Sequence, residues 1–162
     1  VKNNGENNLL NASDTLKEFE KSIDEYLASS NICFSSYKEE YAFYSDMELS
    51  DLANKSRAEL LDIAYMLQGY ASYIQDEINR NIAILNWCNN LLDELLVKFE
   101  RENAFDKYTK FEMKRTIMVS DHSFAKVIEE VRKDSSMKVT LLEGKVFQVK
   151  KMSDIILEKS RL

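Results

Sequence analysis

Proline is absent from this 162-residue sequence, and glycine occurs only at Gly5, Gly69 and Gly144. Without them the chain lacks the usual punctuation of turns and hairpins, and long uninterrupted helices are favoured. Histidine is nearly missing as well, His122 being the only one. A histidine triad, a histidine metal cluster or a His-x-x-x-His pair therefore cannot be assembled, and a capping or surface role is expected for His122. No acidic residue stands three positions before it, which also removes the Glu-x-x-His ligand pair of two-metal helical bundles.

Other absences narrow the function. No glycine-rich loop precedes a helix and no Gly-Lys-Ser/Thr combination exists, so a phosphate cradle of the nucleotide-hydrolase kind is missing. Carboxylates are plentiful, but Glu39/Glu40, Asp76/Glu77, Asp93/Glu94 and Glu129/Glu130 are sequence neighbours that point in different directions on a helix. No catalytic residue, metal ligand or cofactor is assigned, and an enzyme is not expected. Cys33 and Cys88 stand alone without CxxC spacing, which suits packed thiols in a reducing, cytoplasmic setting. No apolar run reaches the eighteen residues of a membrane span, and no secretion leader is read, so no membrane partner is expected.

What is present is a hydrophobic fraction of 44%, enough to bury a core in one domain's worth of chain. The class expected is all-α. The net charge of −6 conceals an asymmetry: residues 1–97 carry 7 basic and 17 acidic side chains, residues 98–162 carry 15 and 11. Such a split suits a molecule whose basic part meets a polyanion, or one whose copies attract head to tail.

Residues 1–50 read as an N-terminal extension. Its Asn-rich start is expected to be loose. Ser13 or Asp14 can cap a first amphipathic helix, in which Leu16, Phe19, Ile23 and Leu27 recur at helical steps to about Ser29. A serine- and aromatic-rich connector follows. Residues 51–162 read as a long helical hairpin, coiled-coil-like in its spacing. Ser56 to Glu59 has the Ser-x-x-Glu spacing of a capping box, where hydroxyl and carboxylate each satisfy an orphan backbone donor. A helix is expected from there to Glu102, with a stripe at Leu60, Ile63, Leu67, Tyr70, Ile74 and Ile78 that continues through Leu85, Cys88, Leu92, Leu95 and Phe99. Asn81 falls on the seam, where a buried amide would set register. Ile84, Trp87, Leu91 and Leu96 form a second stripe, which implies a second set of neighbours. The partner helix is expected from Ser120 or Asp121 to Lys159, burying Phe124, Ile128, Val131, Val139, Leu142, Val146, Val149, Met152 and Ile156, with Ser135 as a weak spot. Gly144 inside it suggests close packing or a bend.

The stretch DKYTKFEMKR, residues 106–115, interleaves cations with rings. On a helix Lys107, Lys110 and Lys114 would share one row, with Tyr108, Phe111 and Arg115 in the next. Such a ridge suits single-stranded nucleic acid, because ammonium and guanidinium groups neutralise phosphates while ring faces stack on bases. A blander alternative has the rings plugging the hairpin end and the lysines merely solvated.

The run Asp106, Lys107, Tyr108, Lys110, Glu112, Met113, Lys114 resembles a segment of the UvsY family, the recombination mediators of T-even-type bacteriophages. Phe147, Val149, Lys150 and Met152 are similar to that family's Phe-x-Ile-Lys-x-Ile segment, at a similar distance along the chain. The resemblance spans about Leu60 to Ile156. The family's Leu-Lys-Ala-Arg motif is met only by Val97, Lys98, Phe99 and Arg101, with Glu100 intruding. The resemblance implies a homo-oligomer in a phage-infected cell that binds single-stranded DNA through Lys98, Arg101, Lys107, Tyr108, Lys110, Phe111, Lys114 and Arg115. Its implied partners are a RecA-like recombinase and a single-strand-binding protein. The competing expectation is a helical scaffold, such as a virion component or coiled-coil adaptor, with no nucleic-acid role.

Overall fold

In the computed structural model, which describes residues 4–48, 50–106 and 108–161, with side chains from residue 12 onward, the chain forms five helices and no strand among the described residues. They are α1 (Asn4–Ser29), α2 (Glu40–Ser45), α3 (Arg57–Glu102), α4 (Phe111–Asp121) and α5 (Ser123–Lys159). The all-α class holds, and one long helix packs on another. The residues divide into two compact units. The first joins residues up to Ile32 with Asn81–Met137, the second joins Cys33–Arg80 with the chain from Lys138 onward, and both α3 and α5 contribute to each.

The capping box forms as the spacing implies. The Ser56 N–H donates to Glu59 Oε2 at 2.7 Å, and the Glu59 N–H donates to Ser56 Oγ at 3.3 Å. In the second unit, Leu60, Ile63, Leu67, Ala71, Ile74 and Ile78 of α3 then pack against Val146, Val149 and Ile156 of α5, which runs antiparallel to it. The sequence pattern misses one strut here. Ser153, fully buried on the apolar face of α5, donates to the Ala64 carbonyl at 3.0 Å and accepts from Gln68 Nε2 at 3.1 Å. Both lone pair and proton are used, so the hydroxyl costs little to bury and ties the helices in one register. The connector closes the other side of α3: Tyr41 is stacked on Tyr70 with centroids 5.1 Å apart, and Tyr37 meets Tyr73 at 5.6 Å. Gly144, expected to mark close packing, is exposed and has open space where a Cβ would stand.

In the first unit the core is Ile84, Cys88, Leu92 and Leu96 of α3, Met118 of α4, Ala125 and Ile128 of α5, and Ala12 of α1. Burying each large aliphatic side chain here contributes roughly 1.5–3 kcal/mol. Asn81 is buried on the seam with its polar group partnered. Past Asn81 the buried line passes through Ile84 and Leu96 of the second stripe, leaving Leu85 and Leu95 only partly covered. The second stripe is covered within the chain: Phe19 of α1 stacks on Trp87 at 5.0 Å with an 11° interplanar angle. Intersubunit packing is therefore not needed to explain it.

The first helix begins earlier than expected. Residues 4–13 are helical, and Ser13 and Asp14 lie inside α1 instead of capping it, because Ala12 is drawn into the core and no proline interrupts the run. Its end is a Schellman motif. Asn31 takes the left-handed conformation at φ 54°, Ile32 N–H donates to the Leu27 carbonyl at 3.0 Å, and Asn31 N–H to that of Ala28 at 3.4 Å. The second long helix starts later than expected, at Ser123, since Ser120 and Asp121 close α4 instead. His122 divides the two. Its N–H donates to the Met118 carbonyl at 2.9 Å, while its Nδ1 accepts from Ala125 N–H at 3.4 Å, which is the expected capping role.

Candidate nucleic-acid interface at the α3–α4 turn

The eight residues assigned to a polyanion surface lie on the last turns of α3, the turn after it and the first turns of α4. Lys107 falls outside the described residues. Lys110 and Lys114 do not share the helical row expected of them. Asp106 folds the chain into a turn, its carboxylate accepting from Tyr108 N–H at 3.1 Å and its carbonyl from Thr109 N–H at 2.9 Å. Lys110 is extended, at φ −63° and ψ 145°, and the helix begins only at Phe111. An aspartate that satisfies its own turn competes with helix in just this way.

The cations separate into two groups. Lys114 turns inward: its Nζ lies 2.9 Å from Glu100 Oε1 and 5.6 Å from the Phe105 ring centroid, with Phe105 in turn against Phe99 at 5.9 Å. Arg115 also turns inward. It reaches Glu129 at 3.5 Å, Asp93 at 3.6 Å and the Asn89 side-chain oxygen at 3.4 Å. Glu129, whose side chain is 13% exposed, is held further by Arg132 through two bonds of 2.7 and 2.8 Å and by Lys133 at 3.8 Å. The Arg132 hydrogen bonds keep the Glu129 carboxyl below the usual carboxylate range against its own desolvation, with Arg115 and Lys133 adding attraction. These charges are consumed in fastening α3, α4 and α5 to one another.

Lys98, Arg101 and Lys110 form the second group. All three are exposed, and no carboxylate pairs with them among the described residues. Beside them in the chain, Tyr108 is 87% exposed and Phe111 56% exposed. Among the described residues, the ridge read from sequence is thus reduced to three solvent-facing cations and two open rings around a tight turn. Phe105, which lies under Lys114, was not singled out in the sequence, and Glu100 and Glu129 were named there only as a break in a motif and a member of a carboxylate pair, not as the partners of Lys114 and Arg115. An aromatic just past a helix end and a glutamate inside a basic motif are the only local signals they leave.

Among the described residues no group of three His, Cys, Asp or Glu side chains is placed to hold a metal ion, and no helix is long and apolar enough to cross a membrane. No protein-family model matches this sequence, and neither a curated protein nor a solved structure matches it.

Proposed function

We propose that this protein is a non-catalytic single-stranded DNA-binding protein whose contact surface is the α3–α4 turn, with Lys98, Arg101 and Lys110 meeting phosphates and Tyr108 and Phe111 stacking on bases. The observation that carries this reading is the pairing of two rings left open to solvent with cations that no carboxylate neutralises among the described residues. Stacking tolerates any base and phosphate contacts carry no sequence information, so binding is sequence-independent. The wider role, assisting a RecA-like recombinase as a homo-oligomer in an infected cell, rests on the UvsY resemblance. Three cations per copy are few, and assembly would supply avidity.

A helical scaffold is the second reading, favoured by Leu141, Phe147 and Ile155, which stand exposed along α5. Fluorescence anisotropy with labelled oligo-dT over a salt series, alongside light scattering, separates the two. The DNA-binding reading expects tight binding at low salt that falls linearly with log salt as counterions are released. Assembly without binding at any salt would leave the scaffold.

A further inference from the structure

In the second unit a groove of about 400 Å³ lies along α3 beneath the connector, bounded by Ser35, Ser36, Lys38, Tyr41, Tyr65 and Gly69. Its volume falls in the usual range for small-molecule sites. Tyr41 is the informative residue. Only 4% of it is exposed and its ring is fixed by Tyr37 and Tyr70, yet its hydroxyl has no hydrogen-bond partner among the described residues. Among them no side-chain polar atom is both fully enclosed and unpartnered, so this hydroxyl opens on the groove. A phenol whose ring is fixed and whose hydroxyl opens on a cavity presents a preset hydrogen-bonding group to a ligand there.

Gly69 fits the same interpretation. A Cβ there would stand 2.9 Å from the Tyr41 oxygen, so the bare backbone of α3 is what lets the phenol reach its position. Among the described residues lining it, Lys38 is the only ionised side chain, and Ser35 and Ser36 add hydroxyls beside it in the chain. The Asp76 carboxylate lies behind this wall, accepting from the Ser35 backbone N–H at 2.7 Å. Tyr65, a residue 75% exposed, lines the same groove and offers a ring face to it.

We infer that this groove binds a small anion bearing a planar ring, of the nucleoside monophosphate class. Lys38 and the two serines hold the phosphate, the Tyr65 face stacks on the base, and the Tyr41 hydroxyl bonds a polar edge of the ligand. No bond is made or broken. The site shares no residue with the α3–α4 turn and does not depend on the reading of that turn.

Isothermal titration of the full chain with AMP tests it, with adenosine and inorganic phosphate as separate arms. One AMP per chain is expected, and each fragment should bind at least about tenfold more weakly because it forgoes half the contacts. Tyr41→Phe should weaken AMP about fivefold, the equivalent of one hydrogen bond, without lowering the urea midpoint, since no bond within the fold is lost. Lys38→Met should weaken it about tenfold. Absence of AMP binding, phosphate binding as tightly as AMP, or wild-type affinity in both variants would overturn the inference. So would a lowered midpoint for Tyr41→Phe, which would show the hydroxyl to be satisfied inside the fold.

Discussion

Lys114 Nζ sits 2.9 Å from Glu100 Oε1, across the turn that joins α3 to α4. A lysine that the spacing offers to a polyanion is thereby turned into a fastener for the turn itself. The pair is partly covered, at 24% and 35% side-chain exposure, and Phe105 lies under the ammonium. A double-mutant cycle with Lys114→Ala and Glu100→Ala, followed by urea unfolding, should return a coupling of about 0.5–1 kcal/mol. Zero coupling would mean that Lys114 is free.

Glu129 makes stability depend on pH in a stated direction. Its folded carboxyl titrates below the ordinary value of 4.5, chiefly because Arg132 hydrogen-bonds the charged form. A depressed carboxylate contributes stability that is present above the unfolded value and is lost as pH falls through the folded one. Glu129→Gln should therefore cost about 2 kcal/mol at neutral pH. The difference from wild type should shrink once pH drops below 4.5, and a gap that stays constant to acid pH would contradict the assignment.

Gly69 and Tyr41 give a test that needs no ligand. Alanine in a helix interior is favoured over glycine by about 1 kcal/mol. At position 69 that gain should be cancelled or reversed, because the new Cβ would meet the Tyr41 oxygen at 2.9 Å. In a Tyr41→Phe background the nearest remaining ring atoms lie at 3.6 Å, an ordinary contact. Gly69→Ala should then raise stability by up to about 1 kcal/mol. Equal effects in both backgrounds would mean that the glycine is not there for the tyrosine.

The long helices were legible because their signal is local and repeated: an unbroken apolar period, no proline, and a capping box at Ser56. The end of α1 was legible for the same reason. What escaped was decided by contacts distant in sequence. Ser153 carries no signal in the apolar period, and its role emerges only from Ala64 and Gln68 beside it. Trp87 and its stripe imply a second neighbour without naming it, and that neighbour is Phe19, some seventy positions earlier, stacked on Trp87. The basic row failed on a competition between neighbours, since Asp106 binds its own turn and delays α4 to Phe111, after which Arg115 finds Glu129. Periodicity identifies a helix face but does not say which carboxylate a flexible cation will reach.

The most direct measurement compares oligo-dT binding by wild type and by the combined Lys98→Gln, Arg101→Gln and Lys110→Gln variant across a salt series, with circular dichroism recorded on both. If these three cations meet phosphates, the variant should stay helical and bind at least about tenfold more weakly at low salt, with a log–log salt slope shallower by about 2, from roughly 0.7 per lost contact on a single strand. Equal affinity and equal slope in wild type and variant would contradict the account.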